Sequence, residues 1–209
     1  MDTPESLPHV LFAGGGTGGH LYPGLALAKA LQARAGRIWI TFVGTAHGLD
    51  AELAPAAGFP LYTVPAGRGS PLSLRRPWNA VRFVQSVTAC RRIFRMRPPD
   101  VVVGLGGFAA APAGLAARWA GVPLVLLEQN VLPGRVTRLL SRWAAEIHLQ
   151  FDEARTRLPR ARGAVLHSGS PLRAELAALA DGPPVDGDRL LVMGGSQGAR
   201  RLNELVCAG

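Results

Sequence analysis

The chain has almost no lysine and almost no cysteine. Of its 209 residues one is lysine, Lys29, and two are cysteine, Cys90 and Cys207. Two cysteines cannot frame a disulfide-stapled fold, and their scarcity fits a reducing compartment. A membrane-spanning helix is missing as well. Such a helix needs ~20 consecutive apolar residues. The longest uncharged apolar run covers residues 101–117 and is interrupted by Gly104, Gly106, Gly107, Pro112 and Gly114. No basic stretch followed by an apolar one opens the chain, so no secretory signal is expected. Acidic residues are sparse: 14 Asp+Glu stand against 23 Lys+Arg, a formal net charge of +9, and none lies between Leu53 and Pro99. That balance points to an anionic partner, whether nucleic acid, a phosphorylated substrate or a membrane surface. What is present is ordinary for a globular protein: 48% hydrophobic and 18% charged residues, which excludes disorder. The length allows one large domain or two small ones.

Short β-branched runs alternate with longer amphipathic ones. Strands are expected at 10–13, 38–43, 61–64, 101–103, 124–127, 147–149 and 164–166. Helices are expected from Pro23 to Ala35 with the proline in the first turn, from Pro77 to Arg95, from Pro112 to Ala120, and from Gly134 to Ala144. Between strand and helix, Gly104 to Gly107 reads as a turn. This alternation predicts the α/β class, a doubly wound, Rossmann-like parallel sheet covered on both faces. Residues 181–188, DGPPVDGD, have linker composition. After them Leu190-Leu191-Val192-Met193 reads as a further buried strand, and a helix is expected from about Arg200. One strand and one helix cannot bury a core, so a second, incomplete α/β domain is expected there.

Gly14-Gly15-Gly16-Thr17-Gly18-Gly19-His20 lies between the first strand and helix. Its spacing fits a loop that lets a diphosphate approach the backbone at a helix N-terminus, or simply a tight turn. Nicotinamide binding would want an acid at the end of the second strand; that strand ends Val43-Gly44-Thr45 and the next acid is Asp50. His20 has the chemistry of a general base near neutral pH, with helix capping or packing as the alternative. Glu128-Gln129-Asn130 ends a strong apolar strand and suits either sugar hydroxyls or the capping of the next helix. Gly104 to Phe108 suits a ligand or close packing. Gly194 to Ala199 repeats the glycine-loop pattern, with the Ser196 hydroxyl placed for a phosphate. In the acid-free stretch, Leu72, Leu74, Trp78, Val81, Phe83, Val84 and Val87 interleave with Arg68, Arg75, Arg76 and Arg82. Arginines flanking apolar side chains suit an anionic membrane surface; the alternative is a helix with one buried face. No recognised nucleic-acid motif accompanies the charge, and nucleic acid is not expected as a partner.

Taken together, GGGTGGHLYPGLALAKAL, PDVVVGLGGFAAAPAGLAA, GVPLVLLEQNVLPGRVTRLL, GSPLR and LVMGGSQGARRLNELV resemble, in order, the segments of the MurG-type peptidoglycan glycosyltransferases. The resemblance implies a two-domain GT-B fold. Residues 1–167 would be an acceptor- and membrane-binding Rossmann-like domain. Residues 168–209 would be the interdomain segment and first βα unit of a UDP-sugar-binding domain, truncated at its C-terminus and inactive alone. It further implies inverting transfer of N-acetylglucosamine from UDP-N-acetylglucosamine to the 4-hydroxyl of lipid I, the lipid-linked muramoyl-pentapeptide, without metal or cofactor. The location implied is the cytoplasmic face of the bacterial membrane, against anionic lipids. His20 and Glu128 would be catalytic. Thr17, Gly18, Gly19, Asn130, Arg173, Ser196 and Gln197 would contact the donor. Leu72, Leu74, Arg75, Arg76, Trp78, Arg82 and Trp119 would face membrane or acceptor. Three positions depart from the family pattern: Leu127 stands where histidine is usual, Phe108 where tyrosine is, and Ser170 where asparagine is. The rival readings are a GT-B transferase with a soluble acceptor and a non-catalytic nucleotide- or membrane-binding module.

Overall fold

The structure is a computed structural model, and it describes residues 7–65, 77–180, 187, 192–194 and 199–207. Seven strands are seen among them: β1 (His9–Gly14), β2 (Trp39–Gly44), β3 (Leu61–Thr63), β4 (Val101–Gly106), β5 (Leu124–Glu128), β6 (Glu146–Leu149) and β7 (Ala164–His167). All pair in parallel, in the order β3-β2-β1-β4-β5-β6-β7. The helices are α1 (Gly18–Ala35), α2 (Asp50–Ala56), α3 (Pro77–Met96), α4 (Gly107–Ala120), α5 (Arg135–Leu140), α6 (Ala174–Ala180) and α7 (Arg200–Cys207). Two compact units are present, residues 1–174 and 175–209. The sheet belongs to the first. In the second, helix is the only regular element among the described residues.

Alternation along the strands places a core on each face of the sheet. Val10, Phe12, Ile40, Phe42, Val103 and Leu105 pack with Leu21, Leu25 and Ala28 of α1. Leu11, Ala13, Val43, Val102, Leu124 and Leu126 pack with α3 and α4 through Cys90, Phe94, Ala113 and Ala117. Phe12 and Phe42 stack across neighbouring strands at 5.1 Å, a contact worth about 0.5–1.5 kcal/mol beyond area burial. In β6 only Ile147 and Leu149 are buried, while Glu146 and His148 face outward and bond each other at 3.1 Å. Burial pushes the Cys90 thiol up to about 12, so it remains protonated.

Several element boundaries differ from the sequence expectation. α1 begins five residues before Pro23, because the Thr17 carbonyl already accepts Leu21 N–H at 3.1 Å. Pro23 sits in the second turn and costs the helix one donor. β4 runs through Gly106 and α4 starts at Gly107, so no separate turn intervenes. α5 stops at Leu140, whose carbonyl accepts from both Trp143 and Ala144 and swings the chain into β6. Val192 and Met193 lie in no strand and are 40% and 73% exposed. A strand needs a paired neighbour, and the described residues of the second unit offer none. Leu190 and Leu191 lie outside the described residues.

At the opposite end of the sheet from the glycine loops, His9 is buried between β1, β2 and the start of β4. Its Nδ1 is 3.2 Å from the Pro98 carbonyl and its Nε2 is 2.8 Å from Thr41 Oγ1. A carbonyl only accepts, so Nδ1 carries the proton and Nε2 accepts from the threonine hydroxyl. Burial pushes the His9 pKa below the ordinary histidine value, outweighing the Pro98 carbonyl and Asp100; nearby Arg97 lowers it further. Below about pH 6.5 the unfolded chain therefore takes up a proton that the folded chain refuses. Stability is full above that value and is lost as the pH falls from there through the folded pKa. Thermal unfolding followed from pH 7.5 to 5 should show a falling midpoint, and His9→Gln should flatten part of that slope.

Candidate functional site

In an open parallel sheet, ligands meet the crevice beyond the carboxyl ends of the strands, where the strand order reverses. Here the reversal falls between β1 and β4. β1 ends at Gly14 and β4 at Gly106, and these two glycines are partners across an irregularity in the pairing. Their φ angles are +125° and +97°, a region L side chains rarely adopt. Space forbids side chains too. A Cβ on Gly14 would strike the Gly106 carbonyl, and one on Gly107 would lie 2.6 Å from the Gly15 carbonyl. The two glycine turns thus touch backbone to backbone.

His20 stands in the first turn of α1 with its ring against Gly106; a Cβ there would lie 2.8 Å from His20 Cδ2. Its Nδ1 is 2.9 Å from Thr17 Oγ1. Thr17 occupies the N-cap position, yet its hydroxyl caps no helix N–H. Burial pushes the His20 pKa below the ordinary histidine value, and the negative charge of Glu128 opposes this more weakly. At neutral pH the imidazole is therefore uncharged and keeps a lone pair. Gly18 lies beside the Tyr22 ring, and Gly19 faces open space.

Glu128 closes β5 and is 3% exposed. Its Oε1 accepts the Asn130 main-chain N–H at 3.0 Å and Asn130 Nδ2 at 2.9 Å, and its Oε2 accepts Gly134 N–H at 2.9 Å. Gly134 immediately precedes α5, which has no side-chain cap, so this carboxylate organises the loop before that helix without capping the helix itself. Asn130 itself is exposed. Both ends of the Gln129 amide are buried without a hydrogen-bond partner among the described residues. Arg173 reaches α1, with its guanidinium 5.3 Å from the Tyr22 ring. Ser196 and Gln197 lie outside the described residues.

Of the apolar, basic set, Leu72, Leu74, Arg75 and Arg76 also lie outside the described residues. Trp78, Val81 and Val84 on α3 are exposed, and only Val87 of that series turns into the core. The alternative of one wholly buried valine face therefore fails for Val81 and Val84. Arg82 is half-buried. Trp119 is exposed on α4 with Arg91 5.7 Å from its ring. Arg91 is 13 residues along α3 from Trp78, about 20 Å at ~1.5 Å per residue, so the two tryptophans lie well apart along α3.

Two features escaped the sequence reading. The first is Asp50, which is 1% exposed. Its Oδ1 accepts Gly16 N–H at 2.8 Å and its Oδ2 accepts Thr45 N–H. The only sequence signal was an acid soon after the second strand. The second is a cavity of about 490 Å³ lined by Arg135, Arg138, Arg142, Arg157 and Arg160 without an acid. These arginines are scattered over 26 positions in sequence and only the fold gathers them. Among the described residues no group of three or more His, Cys, Asp or Glu is placed to hold a metal ion, and no helix is long and apolar enough to cross a membrane.

Residues 10–149 match the sequence profile of the glycosyltransferase family 28 N-terminal domain. Among curated proteins, the chain is 40% identical over 209 residues to the UDP-N-acetylglucosamine--N-acetylmuramyl-(pentapeptide) pyrophosphoryl-undecaprenol N-acetylglucosamine transferase of Chlorobium phaeobacteroides, covering 95% of this chain and 57% of that one. It is 43% identical to the protein of the same name from Aeromonas hydrophila, covering 94% and 54%. The chain thus spans about half the length of the curated relatives it matches. Among solved structures, Acinetobacter baumannii MurG superposes with a TM-score of 0.65 at 30% identity, over 76% of this chain and 44% of that one. S. aureus MnaA, solved with UDP, shares the fold at a TM-score of 0.58 and 16% identity. With well over half of its residues matched to that N-terminal domain, and with a glycine-lined crevice at the switch point of its parallel sheet, the chain belongs to glycosyltransferase family 28.

Proposed function

We propose that this protein is the acceptor-side part of an inverting transferase that moves N-acetylglucosamine from UDP-N-acetylglucosamine to the 4-hydroxyl of the muramoyl-pentapeptide of lipid I, giving lipid II. The observation that carries the reading is the placement of a neutral His20 against the Gly106 turn, in a chain about 40% identical to proteins named for that transfer. With Nδ1–H donating to Thr17 Oγ1, Nε2 is the atom that takes the acceptor proton. The acceptor oxygen then bonds to the anomeric carbon as the bond to the diphosphate oxygen breaks, and UDP leaves. Glu128 has its oxygens filled by loop donors, so its part is to hold Asn130 in place and to favour the imidazolium as it forms. Asn130, with its Nδ2 committed to Glu128, offers Oδ1 to a sugar hydroxyl. Thr17, Gly18 and Gly19 supply the uncapped start of α1 to the sugar and diphosphate. Arg173, Ser196 and Gln197 would meet the uridine diphosphate. Residues 1–167 would form the acceptor domain and 168–209 would enter the donor domain.

The protein would act at the cytoplasmic face of the membrane as a peripheral protein. Exposed Trp78, Val81, Val84 and Trp119 beside arginines support this, since each basic residue near an anionic leaflet adds about 1 kcal/mol. Leu72, Leu74, Arg75, Arg76 and Arg82 would belong to the same surface.

The first test is transfer of labelled N-acetylglucosamine to lipid I by the protein carrying these residues; a preparation with a complete donor site that transfers nothing overturns the reading. His20→Ala should lower kcat by roughly 10²–10⁴-fold without loss of fold. The wild-type rate should fall in acid as His20 takes a proton, with its midpoint below the ordinary histidine value. Gly106→Ala should cost on the order of 10²-fold, because its Cβ displaces the imidazole. Sedimentation with phosphatidylglycerol vesicles tests the membrane surface. Trp78→Ala with Trp119→Ala should weaken binding at least tenfold, and no vesicle binding by the wild type would favour a soluble acceptor.

A further inference from the structure

We propose that Asp50 is a positioning residue: its buried carboxylate sets the shape of the β1–α1 glycine loop and, through it, the place of Thr17 and His20. Asp50 opens α2, where an acid ordinarily serves its own helix. Its oxygens turn elsewhere. One accepts the N–H of Gly16, 34 residues earlier in the sequence, and the other the N–H of Thr45 at the end of β2. The surroundings are shaped to the carboxylate. A methyl group on Gly44 or Gly48 would run into its oxygens, and one on Gly15 would lie 3.3 Å from its Cβ and Cγ. Three glycines, the last residue of β2 and one from each of two loops, therefore leave room for one side chain.

Glycine loops are the least restrained backbone of any protein. Gly14, Gly15 and Gly16 all take positive φ, so local preference does not choose their path. Gly14 is held by its contact with Gly106. Beyond it, the Asp50 carboxylate is the group that holds Gly16, and Gly16 leads directly into Thr17 and the first turn of α1. Hydrogen bonds from main-chain N–H groups to a buried carboxylate are about twice as strong as neutral ones. In related α/β folds an acid in this region reaches outward to a ribose. Here it is spent inward, which removes both the acid and the Gly16 N–H from any ligand.

The transfer part of the test rests on the function proposed above; the spectroscopic part does not. The His20 imidazole is followed by NMR titration in the 209-residue protein, with its signal assigned by loss in His20→Gln. Asp50→Asn keeps the volume but replaces one acceptor with an NH2 group that faces an N–H. A loosened loop hydrates the His20 ring, so the titration midpoint should move up toward the ordinary histidine value. If Asp50 acted only as a nearby negative charge, neutralising it would move the midpoint down, and that result overturns the proposal. Gly48→Ala crowds the carboxylate without removing it and should shift the midpoint the same way as Asp50→Asn. Asp50→Glu restores both acceptors and should return it part of the way. In the transfer assay Asp50→Asn should lower kcat roughly tenfold or more, with the donor KM within about twofold. An unchanged titration in both Asp50→Asn and Gly48→Ala overturns the proposal whether or not the wild type transfers sugar. Loss of the fold in both also overturns it, since the carboxylate would then serve the sheet and not the loop. The expected shift, together with no transfer by a preparation that has a complete donor site, supports Asp50 and defeats the function.

Discussion

Two parallel strands end side by side at glycine, and their turns touch backbone to backbone. That contact between the Gly14-Gly15 and Gly106-Gly107 segments is the constraint on which the candidate site depends. It permits α1 and α4 to leave the sheet at once, one on each face. It also brings the first turn of α1 close enough to β4 for the His20 ring to rest on Gly106. A side chain at either turn would push the strands' ends apart and carry the histidine with them. The burial that depresses the His20 pKa follows from the same closeness.

Two buried carboxylates hold the loops around this contact. Asp50 ties the first glycine loop to the end of β2, and Glu128 gathers the loop between β5 and α5. Burying an ionised group is costly unless its oxygens are filled, and in both cases main-chain N–H groups fill them. The helices at this rim have little other restraint: α1, α2, α4 and α5 all begin without a side-chain cap. Restraint comes from acids belonging to neighbouring elements. Thr17, placed to cap α1, is spent on His20 instead, which leaves the helix start open toward the crevice.

Charge is distributed on a different principle. Exposed apolar side chains, Trp78, Val81 and Val84 of α3 and Trp119 of α4, stand on these helices, with Arg91 against Trp119. A second basic concentration lines the cavity between α5 with the residues just after it and the segment that joins β6 to β7. The glycine crevice and these two basic surfaces are built from different residues of the first unit.

Local pattern by itself determined the class of the fold. Short, near-continuous apolar runs alternating with longer amphipathic ones read as a parallel sheet, because each strand must be buried on two faces, and all seven strands were legible in outline. So was the candidacy of His20, Glu128 and Asn130, since polar residues just after apolar strands fall at the ligand-binding rim. The start of α1 was misplaced because Pro23 looks like a helix opener, whereas the Thr17 carbonyl begins the helix earlier. Val192 and Met193 looked like a strand because apolarity alone does not reveal whether a pairing partner exists. Tertiary structure alone decided the role of Asp50, the packing of His20 on Gly106, and the gathering of five arginines around one cavity. Each depends on residues tens of positions apart meeting in space. Sequence periodicity reports which face a residue takes, and carries no record of what it meets there.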